Sequence, residues 1–315
     1  EIGDNLDIFF FTSSQRQNLH LDPIRFTFRE NYPVMYYKIH CDLDDDLTTQ
    51  YRTLNGAPLF STSRDDNGRY ILDAEMTDIA AKTPSLWYNP VRQSPVIQMR
   101  VYNRRSDEYT PVSARKDGVQ ADPETKIIIG DAWQALETGT YTEKSMKDYL
   151  KITLKNGGKI FGKLKEAKKK DLMSDRETAN FLYNLIGYAY FASGRNLNPY
   201  SFISNFVEAA KAAGLDARYG ICTPDFNEPL DSLGSQDNSL WLGYIKDIDT
   251  IYLPPVGYFA PGEVPAIFQG EKARIMPDKK TLKKDKFNLG DEIALRASDP
   301  DYNRTTVSIT AVPDG

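Results

Sequence analysis

Covalent and acid–base chemistry is limited first by which reactive side chains a chain owns. This one has two histidines, His20 and His40, and two cysteines, Cys41 and Cys222. A thiol nucleophile needs a base within hydrogen-bond reach, yet beyond Cys41 the chain has one cysteine and no histidine. A Cys-His pair is therefore excluded there, and a His- or Cys-rich metal centre is excluded throughout. Cys222, between Ile221 and the Thr223-Pro224 turn, reads as a small core residue, and so does Cys41. Ser201 offers a hydroxyl near a helix start. Its only imidazole bases would be His20 or His40 from elsewhere in the fold, so it reads as an ordinary first-turn residue.

Oxygen ligands and phosphate loops fare no better. Asp42, Asp44, Asp45 and Asp46 form an acidic run, and Asp299, Asp301 and Asn303 a second cluster. Carboxylates suit hard cations, but the first run lacks EF-hand spacing and its turn glycine, and both read as solvated turns. Gly157-Gly158-Lys159 lacks the upstream glycine and the following Ser or Thr of a phosphate-binding loop. No metal and no cofactor is expected. A pair of catalytic carboxylates cannot be picked out of 44 acids by sequence. Trp87-Tyr88, and Tyr252 with Tyr258-Phe259, could serve as platforms for sugars or protein partners, although core positions are their first reading.

Charge excludes another class. The formal net charge is −5 with a pI near 5.3, which argues against a general nucleic-acid binder. The lysine-rich stretch from Lys155 to Lys170 reads as a solvated helix face or linker, with an anionic partner as the lesser reading. No apolar run approaches the ~20 residues that cross a bilayer. The first residue is Glu1 rather than Met, and the chain reads as a trimmed or processed form whose first residues do not reveal a compartment.

The elements that must position these groups fall into two styles. Up to about residue 122, short period-two stretches alternate with turns at Leu54-Asn55-Gly56, Asp65-Asp66-Asn67-Gly68 and Asp117-Gly118. This predicts an antiparallel β-sandwich, with Asn55-Gly56 read as a tight hairpin and Val96 to Tyr102 as a strong strand. Beyond Asp122-Pro123 the period becomes helical, with Trp133, Leu136, Met146, Tyr149 and Leu150 as buried positions. Ser174 and Glu177 have capping-box spacing before Phe181, Leu182, Leu185, Ile186 and Ala189. Asn198 and Pro199 mark the start of the next helix. Strands are expected over Leu215 to Thr223, Ser239 to Ile245, Thr250 to Leu253, Glu292 to Arg296 and Thr305 to Val312, with a basic loop from Lys279 to Lys286. The expected class is α+β, with a β-sandwich over 1–122, an α/β domain over 123–278, and 279–315 ending the second domain or starting a third.

That order of elements carries a resemblance. The segments Ser174 to Ala192, Asn198 to Ile221 and Asn238 to Gln269 resemble the transglutaminase-like (papain-like cysteine protease) fold of bacterial envelope proteins. The last includes Ile251-Tyr252-Leu253-Pro254-Pro255, Gly262-Glu263-Val264-Pro265 and Gln269-Gly270. Tyr32-Pro33-Val34, the Leu54-Asn55-Gly56 turn, Glu75 to Ala80 and Pro90 to Met99 resemble the uncharacterised β-sandwich domain that commonly precedes it. Active relatives use a Cys-His-Asp triad, whose positions fall here at or near Pro199 (with Ser201 the nearest hydroxyl), at Ser239 and at Pro254. None supplies the family's group. The resemblance thus implies an envelope protein, periplasmic or secreted, that has lost its triad. Its old cleft, near Pro199, Ser201, Ser239, Trp241 and Pro254, would bind a peptide, glycan or protein, or serve as a scaffold. The alternatives are a hydrolase using cleft carboxylates and a sugar-binding β-sandwich module.

Overall fold

The computed structural model describes residues 23–82, 85, 88–103, 118–138, 142–194, 198–255, 260–296 and 307–308. His20, Trp87, Asp117, Tyr258-Phe259, the 299–303 cluster and most of the strand expected over 305–312 lie outside the described residues. The described chain mixes helices with several sheets, an α+β class.

Seven strands come first: β1 (Ile24–Thr27), β2 (Val34–Leu43), β3 (Leu47–Leu54), β4 (Ser61–Arg64), β5 (Tyr70–Ile79), β6 (Val96–Asn103) and β7 (Val119–Ala121). They form two sheets, ordered β1-β6-β3-β7 and β2-β5-β4, antiparallel except where β7 joins β3. Alternation sends Ile39, Leu72 and Ala74 from one sheet and Tyr51, Ile97, Met99 and Val101 from the other into a shared core. The Asp65 to Gly68 turn closes a true hairpin between β4 and β5, and Asp65 Oδ1 accepts from the backbone N–H groups of Asn67 and Arg69.

The Asn55-Gly56 turn does not close a hairpin. Both residues have positive φ, 54° and 81°, as a tight turn requires, but the strands on either side belong to different sheets. The turn hands the chain from one sheet to the other. Asparagine is needed because its amide donates to the carbonyls of Val91 (2.9 Å) and Ser94 (2.6 Å), pinning the short helix α1 (Pro90–Gln93).

Six further helices follow: α2 (Thr125–Thr138), α3 (Glu143–Thr153), α4 (Ile160–Lys169), α5 (Asp175–Ala192), α6 (Pro199–Ala212) and α7 (Lys279–Lys284). The third sheet is β8 (Ala217–Cys222), β9 (Leu240–Ile245), β10 (Thr250–Tyr252), β11 (Lys272–Ile275) and β12 (Asp291–Ala294), antiparallel in the order β10-β9-β8-β11-β12. The Ser174–Glu177 capping box forms, and Asn198 caps α6 by accepting from the Ser201 N–H. α6 packs Phe206 and Val207 onto β9 over Gly243, where a Cβ would lie only 2.9 Å from the Phe206 ring.

Two expectations are corrected. Phe181 is 41% exposed, because α5 packs through Leu182, Tyr183, Ile186 and Ala189 and Phe181 falls to the side of that stripe. Within the segment 279–286, residues Lys279–Lys284 form a helix rather than a loop. Asp278 caps α7 by accepting from the N–H groups of Lys280 and Thr281, and Leu282 is buried against the Trp133 cluster. β12 then pairs with β11.

β6 is buried on both faces. Its odd-numbered residues enter the shared core, while Gln98 and Arg100 turn to the 223–239 connection between β8 and β9. There Glu228 is 0% exposed. Its Oε1 accepts from Asn238 (2.8 Å) and from the Gly234 N–H (3.1 Å), and its Oε2 accepts from Gln98 (3.0 Å). Arg25 donates to Asn227 and Asn238, and Arg100 pairs with Asp237. Arg92 grips both oxygens of Glu271 at 3.0 Å and donates to the Asn227 carbonyl. Burial in this seam holds the Arg52 guanidinium below its ordinary pKa.

Glu228→Ala should cost about 3 kcal/mol or more, because it strands three buried donors. Glu228→Gln, which keeps the shape, should cost less, and urea midpoints will check both. Asn55→Ala should cost about 2 kcal/mol from two lost hydrogen bonds and a disfavoured positive φ, and Asn55→Gly should cost less.

Candidate functional site

The five positions singled out by sequence sit where α6 begins and where β9 begins and β10 ends. Asn198 stops the chain extended and presents its side chain to the first turn, so Pro199 opens α6 with no N–H to satisfy. Pro199 and Ser201 are half-buried. Tyr200, between them, stands edge-on to Trp241 of β9, with ring centroids 5.6 Å apart. Trp241 also meets Trp133 of α2 at 6.0 Å. Pro254 is buried two residues past β10. The β9–β10 register pairs Tyr252 with Gly243, so carried two residues further it puts Pro254 level with Trp241. Tyr183 of α5 ties these parts together. Its hydroxyl donates to the Leu253 carbonyl (2.9 Å), and its ring packs on Phe202 of α6 at 5.0 Å. Burial pushes the Tyr183 phenol up to about 12, so it stays a neutral donor.

The structure thus brings Tyr200, flanked by Pro199 and Ser201, against Trp241, and strand register places Pro254 level with Trp241. Ser239 is placed apart in its bonding, since its hydroxyl donates to the Gln236 carbonyl of its own turn (2.6 Å). The gathered groups offer apolar rings and proline faces rather than proton transfer. Sequence reasoning missed Tyr200. Its signal was a tyrosine directly after a helix-opening proline, three turns before the helix ends.

Of the three described thiol and imidazole groups, Cys41 lies on β2 beside His40, and Cys222 and His40 are directed elsewhere. Cys222 is 0% exposed and pairs with Leu240 on β9. Both side chains enter the core with Leu242, Phe268 and Ala273, the sheet face opposite Ile221 and Trp241. Burial first, then the Glu271 charge, raises its thiol pKa well above the ordinary value. His40 is exposed on β2, with Nδ1 2.8 Å from Asp73 Oδ1. That strand lies across the shared core from the sheet that meets the 223–239 connection, so His40 cannot serve Ser201. The seam carboxylates are also engaged: Glu228 by amides and a backbone N–H, Glu271 by Arg92. Among the described residues, no group of three or more His, Cys, Asp or Glu side chains is placed to hold a metal ion. No described helix is long and apolar enough to cross a membrane.

No family model matches the chain, and no curated protein matches it. Among solved structures, a crystal structure described as that of a putative protease from Parabacteroides distasonis is similar, with 11% identity and a TM-score of 0.49. The match covers 90% of this chain and 49% of that one, so this chain spans about half that protein's length. A likeness at that level establishes neither a shared fold nor a shared activity.

Proposed function

We propose that this chain is a non-catalytic, transglutaminase-like protein of the bacterial cell envelope. In this reading a β-sandwich precedes the transglutaminase-like part. The end of the layer near Pro199, Ser201, Ser239, Trp241 and Pro254 takes a peptide, glycan or protein ligand, or the fold acts as a scaffold. The observation that carries it is the meeting of Tyr200 and Trp241 at the first turn of α6, where a proline opens the helix. A helix N-terminus there would favour a thiolate, but the one cysteine beyond Cys41 lies in the core on the sheet's other face. Two half-buried rings with polar tips suit ligand contact better than chemistry. The envelope placement rests on the resemblance alone. Nothing in the seam favours the carboxylate hydrolase, since Glu228 and Glu271 are engaged by their neighbours.

Thiol titration of the native protein should find Cys222 unreactive until the chain unfolds, with Cys41 the only thiol of the two open to modification. Pure protein given peptide and acyl-donor substrates should show no turnover. Turnover that survives Cys222→Ala would overturn this reading. In a calorimetric screen of peptides and oligosaccharides, Trp241→Ala should weaken any ligand found at this end by roughly tenfold or more, while Tyr36→Ala on β2 should leave it unchanged.

A further inference from the structure

Between residues 143 and 170 the sequence sets ten lysines against three carboxylates, with no arginine, in a chain of net charge −5. Net positive charge gathers here, and the rest of the molecule, which carries a smaller lysine group at 279–286, is more acidic than the whole. This stretch forms α3 and α4, joined by a tight turn at Gly157–Lys159. The two helices run antiparallel. Lys147 of α3 lies 5.7 Å over the Phe161 ring of α4. Glu143 is held below the usual carboxylate range by its bond to Lys147 and, more weakly, by Lys165 across the gap.

Packing decides which way the lysines point. Met146 and Leu150 of α3, and Phe161 and Leu164 of α4, enter the helical core. Lys144 and Lys151 then fall at i and i+7 on the opposite side of α3, while Lys147 stands at the edge of the core face, over the Phe161 ring. Lys163, Lys165, Lys169 and Lys170 occupy the exposed half of α4. Among the described residues, ion pairs join Lys147 to Glu143, Lys168 to Asp175 and Lys170 to Glu166. Two bare aliphatic side chains flank this surface, Ile152 at 85% exposure and Leu172 at 74%.

We propose that the outer face of the α3–α4 hairpin docks the protein onto an anionic phospholipid bilayer. Lysines are compact charges on flexible stems, suited to a fluid sheet of headgroups, whereas a fixed phosphate favours the forked guanidinium absent here. Exposed aliphatics beside a basic face enter the boundary between headgroups and acyl chains. Single-stranded nucleic acid would call for outward aromatic platforms. The aromatics of this hairpin face inward, Tyr149 against Tyr190 and Phe161 into the core. The acidic remainder of the molecule would be repelled by the same surface, which fixes the orientation of docking.

The test is co-sedimentation of the full chain with two kinds of vesicle: phosphatidylcholine alone, and phosphatidylcholine mixed roughly three to one with phosphatidylglycerol. The protein should sediment with the anionic vesicles only, and less as salt rises. Each lysine near the surface is worth roughly fivefold in affinity. A variant combining Lys151→Gln, Lys163→Gln, Lys165→Gln and Lys169→Gln should therefore lose roughly two orders of magnitude or more. Ile152→Ser should lose several-fold with the salt dependence unchanged. An unaltered thermal midpoint will show that the variants fold. Equal sedimentation with neutral vesicles, or binding undiminished in the quadruple variant, would overturn the proposal. So would tighter binding to nucleic acid at equal salt, or a lysine-dependent dimer with no vesicle binding.

Discussion

The buried carboxylate of Glu228 sets the terms on which the two parts of this molecule meet. A charge with no exposure to water survives only if each oxygen is met by donors. Here the donors come from both sides: Gln98 on a strand of the first part, Asn238 and the Gly234 N–H on the connection that carries Glu228 itself. Satisfying that one group fixes the path of residues 223–239, and with it the start of β9. It also explains why β6 has polar residues on one face and no solvent on either. The neighbouring Arg92–Glu271 grip and the Arg25 bonds extend the same logic outward, so the contact is specified by geometry rather than by apolar area.

Face parity in the third sheet separates the two groups most readily mistaken for partners. Trp241 and Cys222 lie on adjacent strands, but a strand shows alternate residues to opposite sides. Cys222 pairs with Leu240, not Trp241, and so belongs to the face of the sheet turned away from α6, with Phe268 and Ala273. The helix side is left to rings: Tyr200, Trp133 and Trp241. The character of that end of the molecule follows from this alternation as much as from the missing histidine.

What could be read from the sequence was what local physics determines. The Ser174 and Asn198 caps, the apolar period of α6 and the strand cores at β6, β8 and β9 all depend on neighbours in sequence, and they stand as expected. The elements misread were those decided by distant partners. Asn55-Gly56 has the chemistry of a hairpin, but its amide is claimed by Val91 and Ser94, and the chain leaves for the other sheet. Lys279 to Lys284 looks like solvated loop until Leu282 finds the Trp133 cluster. Phe181 has helical spacing, but it falls beside the buried stripe of α5 and stays 41% exposed. At the candidate site, the places of Pro199 at the start of α6 and Trp241 on β9 followed from element order, whereas the contact of Tyr200 with Trp241 needed the angle between α6 and β9. The polar seam was illegible because Glu228 and Gln98 are 130 residues apart, and nothing local distinguishes a buried glutamate from an exposed one.

The polarity of that seam also shapes how the molecule responds to heat. Exposing apolar surface raises heat capacity, whereas exposing polar surface lowers it. Melting any of the apolar cores would give the usual positive change. Parting the two halves along Arg25, Arg92, Gln98, Arg100, Glu228 and Glu271 would uncover mostly amides and charges and give a small or opposite one. The joint between the halves and the interior of each half therefore follow different temperature laws. The cores weaken on cooling as the hydrophobic drive fades, while the polar joint is governed by hydrogen bonds that do not share that dependence.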